Sequence, residues 1–338
     1  MLEVPINKKV RVLHAPVVIA NQSVVLADAL RKCGMEATSL QYYHQDKRYS
    51  ADINVCDGDN ILEQTLARFS VFLRVVNSFD IYHFHFAETL LPSFLDLPIL
   101  KLLGKKIVFE YHGSEIRPPF KYSNDYKLFT KVKITLNQLR IRIFAKLFVD
   151  AEVVTTPDLL AYAPSAKFIP AAVEDRWLSP SIQMPSKSGK VIITHAPTSR
   201  AIKGSGCLVS AVKQLQKSGL RVELDLVEEL PPKEVRSHFE RADIAVDQLL
   251  IGWYGLFAAE MMALGKPVVC YIRKNFERYA PDLPIVSADT ETLVEVLKKL
   301  VQDAKMRGVV GRRGPQFVRN FQSSEVIAKR FIELYKTL

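Results

Sequence analysis

The sequence predicts an α/β protein built from two doubly wound domains that face each other across a cleft. Apolar strand-like runs alternate with amphipathic helix-like runs from end to end, the pattern of parallel sheets covered by helices on both faces. The alternation stops once, in the Pro- and Ser-rich stretch AVEDRWLSPSIQMPSKSGK (172–190), and then restarts. A chain of 338 residues is long enough for two cores.

In the first half, VRVLHA (10–15) reads as a strand and SVVLADALRKCG (23–34) as a helix closed by Gly34. A strand over 35–43, a helix over 60–78 and a strand DIYHFHF (80–86) follow. Next come a helix over 93–104 with an internal Pro98, and the strand KIVFEYHG (106–113). A long basic helix at 126–149 precedes short strands at 152–157 and 166–172. After the break, KVIITHAP (190–197), RVELDLVE (221–228), DIAVDQ (243–248) and KPVVCYI (266–272) read as strands. Helices fall at 204–219, 232–242 and LFAAEMMALG (256–265), and the chain reads as helical from about 290 almost to its end. The implied domains are 1–172 and 190–321, with 173–189 as linker; in such a pair a large ligand sits between the strand ends.

Composition narrows the function. At 48% hydrophobic and 24% charged the chain is ordinarily globular. It has no run of about 18 uncharged apolar residues, so no transmembrane helix is expected, and its start does not read as a signal peptide. Four scattered cysteines, without a Cys/His cluster, predict reduced thiols in a cytoplasmic protein and no structural zinc. The net charge of +10 is spread over both halves and favours anionic partners. With no zinc finger, recognition helix or RNA-binding aromatic motif, nucleic acid is not expected.

Glu260 lies in a helix-like run that is otherwise apolar, ended by Gly265. A buried carboxylate costs several kcal/mol unless it is bonded. Two readings are open: an internal partner such as Lys266 or Arg273, or a ligand's hydroxyls, as when a carboxylate grips a ribose diol. HAPTSRAIKGSG (195–206) ends a strand, supplies Arg200 and Lys203, and starts a helix near Gly204. The unpaired N–H groups and positive dipole end there suit a phosphate, with the two cations beside them. The alternative is a solvated basic turn.

EYHGSEIRPP (110–119) puts His112 at the C-terminal end of a strand, with Gly113 allowing close approach and Glu115 and Arg117 able to pair with each other. His85 and Glu88 end the preceding strand; His83 shares a face with His85, but no third ligand lies nearby in sequence and no metal is expected. DGD (57–59) reads as a turn. Residues 126–149 hold six Lys/Arg and no acid. As a helix, Leu128, Val132, Leu136, Leu139 and Ile143 form one stripe, with Lys127, Lys131 and Arg142 on another side. That stripe either faces the core or lies on an anionic membrane.

The ordered set of segments resembles the GT-B glycosyltransferases, specifically the retaining family-four group. KG (203–204) and EMMALGKPV (260–268) are similar to that family's donor-site motifs, and YHGSEIR (111–117) to its HGSDIR-type segment; DIAVDQLLIGWYG (243–255) resembles a bacterial subgroup. The resemblance covers most of the chain. It implies a nucleotide-sugar donor, UDP- or GDP-linked, held mainly by the second domain, and a glycan or lipid-linked acceptor brought by the first. No separate cofactor and no metal are implied. Glu260 would bind the ribose, with Gly204, Gly252, Gly255 and Leu256 also lining the donor. Lys203 would stabilise the diphosphate with Arg200 as helper, and His112 would sit near the donor sugar. The last helix, about 322–338, would cross back to the first domain. Polysaccharide or lipid-linked glycan assembly at the inner face of the cell membrane is the implied setting.

Three departures from the family pattern stand out. Its first Glu, eight positions before Glu260, falls on Gly252; its Arg, five before Lys203, falls on Thr198; and the first βα loop, APVVIANQS, lacks the usual glycines. Front-face transfer with retention is the implied chemistry. A non-catalytic nucleotide-sugar-binding subunit and a GT-B-fold epimerase are the alternatives. A plain dinucleotide oxidoreductase is disfavoured because no G-x-G-x-x-G follows the first strand.

Overall fold

The computed structural model describes residues 10–42, 50–55, 60–122, 126–179, 189–228, 230 and 232–338. Cys56, the DGD turn and residues 180–188 of the expected linker lie outside them.

The first half runs β1 (Arg11–Ala15), α1 (Gln22–Lys32), β2 (Glu36–Gln41), β3 (Ile53–Asn54), α2 (Ile61–Val75), β4 (Ile81–His85), α3 (Asp96–Leu102), β5 (Lys106–Tyr111), α4 (Pro119–Tyr122), α5 (Leu128–Phe148), β6 (Ala151–Val154) and β7 (Lys167–Phe168). Its strands form a parallel sheet in the order β3-β2-β1-β4-β5-β6-β7. The order reverses between β1 and β4, and that is where the topology opens a crevice at the strands' C-terminal ends.

The second half runs β8 (Val191–His195), α6 (Arg200–Lys203), α7 (Ser205–Lys217), β9 (Val222–Leu226), α8 (Pro232–Arg241), β10 (Ile244–Val246), α9 (Leu256–Ala263), β11 (Val268–Cys270), β12 (Ile285–Ser287), α10 (Leu293–Gln302), α11 (Ala304–Phe321) and α12 (Ser324–Tyr335). The sheet order is β12-β11-β10-β8-β9, all parallel, with its reversal between β8 and β10. The short strands β3 and β12 carry too few residues to show a period and were not read from the sequence. The long C-terminal helical stretch is three helices. Asp303 breaks it first, its carboxylate accepting the Met306 N–H at 2.8 Å. The second break is at Gln322 and Ser323, beside the bridge from Val173 N–H to the Gln322 carbonyl at 2.9 Å.

α12 crosses back to the first sheet. Ile327, Ala328, Phe331 and Leu334 bury against Val12, Leu26 and Leu30, and the Tyr335 hydroxyl bonds His83 Nδ1 at 2.6 Å. Aromatic contacts also join the halves: Phe168 of β7 meets Trp253 and Tyr279 edge-on. α9 is held on its other side by α11, where Gly314 lies against the Met262 backbone so closely that a Cβ there would stand 2.9 Å from Met262 Cα.

Phe331 is 1% exposed at the centre of the α12 contact. Phe331→Ala should lower unfolding stability by about 3–5 kcal/mol. Chemical denaturation measures this, and a loss below about 1 kcal/mol would mean that α12 does not anchor the first domain.

Candidate functional site

The site is built at the reversal between β8 and β10. Asp247 follows β10 directly and is 1% exposed. Its carboxylate accepts from Lys203 Nζ at 2.8 Å and from the Gly255 N–H at 2.5 Å. One buried acid thus ties the end of α6, the strand end and the start of α9. Lys203 keeps 12% side-chain exposure, against 1% for the carboxylate it pairs with. His195, which ends β8, donates through Nδ1 to the Val246 carbonyl at 2.7 Å, which leaves Nε2 to accept the Ser205 hydroxyl at 2.8 Å. Burial holds its pKa down, so the ring is neutral. This bond fixes the first residue of α7, and the space above Gly206 in its first turn is open. A helix start facing open space beside an ammonium is suited to a phosphate.

Glu260 sits one turn into α9, half-buried. Burial and the nearby Glu174 carboxylate push its pKa up to about 8; Arg176 opposes the shift and Asp247 adds to it. The Trp177 indole N–H also favours the charged form but falls short of a full hydrogen bond. A carboxyl that keeps its proton at neutral pH offers one O–H donor and one acceptor, the complement of a vicinal diol. Neither internal partner expected from the sequence is there: Lys266 donates to the Glu240 carbonyl at 2.6 Å, and Arg273 forms no ion pair among the described residues. Glu174 also accepts from Asn21 Nδ2 at 3.1 Å, in the first βα loop of the first domain. Glu260 therefore borders both Asp247 and the crossing between the halves.

In the first domain, parallel register sets His14 beside His83 and His85 beside Glu110. His14 Nδ1 lies 3.0 Å from His85 Nε2, and His85 Nδ1 lies 3.2 Å from His112 Nε2 and 3.3 Å from Glu110 Oε2. His83 Nε2 stands 3.0 Å from the same oxygen. Burial alone would raise the Glu110 carboxyl, but His85, His112 and His83 outweigh it and hold it at about 2. Burial pushes His14 and His85 well down, so both are neutral. His85, Glu110 and His112 are close enough to hold a cation, as are His14, His83 and His85. Ring-to-ring contacts account for two of these distances, His14 to His85 and His85 to His112, whereas His83 Nε2 and Glu110 Oε2 are buried without a hydrogen-bond partner among the described residues. Glu115 accepts from the His112 and Gly113 N–H groups, and Arg117 pairs with Asp158 at 2.8 Å, so these two do not pair with each other.

Beside this loop is a cavity of about 470 Å³, bordered by Glu88, Glu115, Arg68, Lys133, Asn137 and Arg140. Phe86, Ala87, Ser93 and Phe94, which also line it, all have positive φ, a strained backbone of the kind that collects at ligand sites. The far wall is α5, whose Gln138 Nε2 donates to the Ser114 and Arg117 carbonyls. α5 buries Gln138, Ile141 and Ala145 and leaves Leu128, Val132, Leu136, Leu139 and Ile143 exposed. The stripe that either faced the core or faced outward faces outward. α2 adds exposed Ile61, Leu62, Leu66 and Leu73 to the same domain.

No protein-family model matches the chain. A D-inositol 3-phosphate glycosyltransferase of Corynebacterium urealyticum is 25% identical over 153 residues, 44% of this chain and 35% of that protein, so the match spans about a third of that relative's length. Sucrose-phosphate synthase from Thermosynechococcus elongatus superposes with a TM-score of 0.72 over 97% of this chain and 98% of its own, at 16% identity. The chain has the GT-B fold. S. aureus TarM, solved with UDP and α-GlcNAc-glycerol, gives a TM-score of 0.58 at 12% identity over 80% of this chain and 59% of TarM. A putative UDP-N-acetylglucosamine 2-epimerase from Listeria monocytogenes gives 0.55 at 12% identity over 96% and 95%.

Within this GT-B frame Lys203 and Gly255 bond Asp247, Glu260 feels its charge, and Gly204 and Leu256 are the chain neighbours of the two bonded residues. Arg200 is matched within the chain: its side chain is 63% exposed and pairs with Glu228. Gly252 has φ 91°, and a Cβ there would lie 2.6 Å from Arg273 Nε. His112 sits in the first domain at the edge of the histidine cluster. Sequence reasoning missed Asp247, Glu110 and His14; for the last two the signal is register, which sets Glu110 opposite His85 and His14 opposite His83, while Asp247 only follows a strand end.

The shift on Glu260 sets a pH dependence. Its folded pKa lies above the ordinary 4.5, so the stability it contributes is full below about 4.5 and is lost as pH rises toward about 8. Wild type should therefore lose melting temperature relative to Glu260→Gln as pH increases across that window. A difference between the two that is flat from pH 4.5 to 8 would remove the assigned protonation state.

Proposed function

We propose that the chain transfers a sugar, with retention of configuration, from a nucleoside-diphosphate sugar to a glycan or lipid-linked acceptor. The observation that carries this is the grouping of Lys203, the α7 start and a protonated Glu260 around one buried acid at the second domain's strand reversal. The glycosyltransferase relative supports the reading. The diphosphate would lie over Gly206 and the ribose against Glu260. As the leaving diphosphate gains charge, Lys203 and the helix start would stabilise it without a metal, an effect worth several kcal/mol in a water-poor site. Among the described residues no side chain stands out as a nucleophile, which favours front-face attack by the acceptor hydroxyl.

The acceptor would enter from the cavity beside Glu88 and Glu115. Its neighbours, the exposed apolar faces of α2 and α5, carry cations and, on α5, no acid, which supports contact with an anionic membrane surface. A second reading, a nucleotide-sugar-binding subunit without turnover, is favoured by the absence of a carboxylate at 252.

Thermal shift with UDP-, GDP-, ADP- and dTDP-sugars tests the donor: a ligand at 100 times its Kd stabilises by about 2.7 kcal/mol. Lys203→Ala should then reduce turnover at least about a hundredfold; near-normal rates would remove the phosphate assignment, and binding without turnover across many acceptors would favour the subunit. For the membrane contact, the protein should co-sediment with phosphatidylglycerol vesicles in low salt, and Leu136→Asp with Leu139→Asp should abolish this. Equal binding by the double variant would rule out α5 as the contact.

A further inference from the structure

At the donor edge of the second sheet, Lys203 and Arg200 are already matched by carboxylates of this chain, and so is Arg176 beside Glu260. Arg273 is different. It follows β11 at the same edge, is half-buried, and has no carboxylate within 4 Å among the described residues. Its backbone N–H donates to the Gly252 carbonyl at 3.0 Å, and its guanidinium lies over the Phe276 ring, 5.6 Å from the centroid. Its stem fills the space a side chain at 252 would need, with Nε and Cδ 2.6 Å and 2.8 Å from the position of a Cβ. The φ of 91° at Gly252 excludes other side chains independently.

Position 252 therefore offers no carboxylate and is covered by a fixed cation. Gly255, three residues on, has Lys203 Nζ 2.9 Å from its own Cβ position. Three residues span at most about 11 Å. The guanidinium and the ammonium therefore border the same short segment, each with a nitrogen within 3 Å of a Cβ position on 252–255. A carboxylate accepts from sugar hydroxyls, whereas a guanidinium is donor-only and answers an anionic oxygen.

We infer that Arg273 is an anion-binding residue of the donor site, taking either a carboxylate on the transferred sugar, as in a nucleoside-diphosphate uronic acid, or the diphosphate itself. This rests on the proposed donor site, and the test separates the two. Calorimetric Kd values are measured for wild type, Arg273→Gln and Arg273→Lys with UDP, UDP-glucose and UDP-glucuronate, and with the matching GDP, ADP and dTDP compounds if UDP does not bind. Melting curves confirm that the variants fold. Arg273→Gln should weaken an anionic ligand about tenfold or more, and Arg273→Lys should recover part of the loss. A loss confined to the glucuronate conjugate identifies the sugar carboxylate; an equal loss for all three ligands identifies the diphosphate. If wild type binds and Arg273→Gln binds every ligand within twofold of it, Arg273 has no such role while the donor site stands. If wild type binds none of them, the donor site and this inference both fall.

Discussion

Asp247 is the residue on which the arrangement of the second domain rests. Its buried carboxylate receives one charged and one backbone donor, and those donors belong to the two segments that flank the strand reversal. Without it, Lys203 would be a buried-edge cation with no fixed direction, and Gly255 would present an unpaired N–H at the start of α9. The start of α9 in turn sets where Glu260 stands. Breaking a buried pair costs more than the pair is worth, because the remaining charge is stranded. Charges held in place by such bonds before a ligand arrives need no reorganisation, the condition under which they are most effective.

The sequence made the architecture legible wherever an element was long enough to show its period. Alternation gave the parallel sheets, and the Pro- and Ser-rich interruption gave two halves. The two-residue β3 and three-residue β12 carry no period to detect. α5 shows a different limit. It has two apolar stripes, and periodicity cannot say which one is inside; Gln138, Ile141 and Ala145 are buried because Gln138 reaches the carbonyls of the 113–117 loop. Glu260 was legible as a charge out of place, but its surroundings were not. The groups that set its protonation, Glu174 and Asp247, are far from it in sequence or across a loop.

The first domain combines a polar interior with an apolar exterior. Imidazoles and one carboxylate occupy the middle of its sheet because parallel register aligns strand ends that lie tens of residues apart. Glu110 is tolerated there because three rings surround it, and Tyr335 completes the set from the returning α12. Packing of α12 and the state of this cluster are therefore coupled: a displaced α12 would leave His83 Nδ1 unpaired in a dry interior. Outside, the exposed leucines of α2 and α5 flank the strained turns of the cavity. Apolar surface that large is tolerated in water only at a cost, and contact with another apolar phase removes the cost.

Charge balance connects these parts. In the proposed function a diphosphate would bring about two negative charges to an edge where Asp247 already offsets Lys203 and Glu228 offsets Arg200. The paired ammonium can still orient a phosphate, but the local sum of those two pairs is near zero. In the proposed donor site, net attraction would then come from groups without an internal acid among the described residues, such as the α7 start and Arg273. Protonation of Glu260 points the same way, since an ionised carboxylate beside Asp247 would add repulsion where an anion has to approach. On the proposed reading, such a site would attract an anionic ligand through its unpaired members and not through its ion pairs.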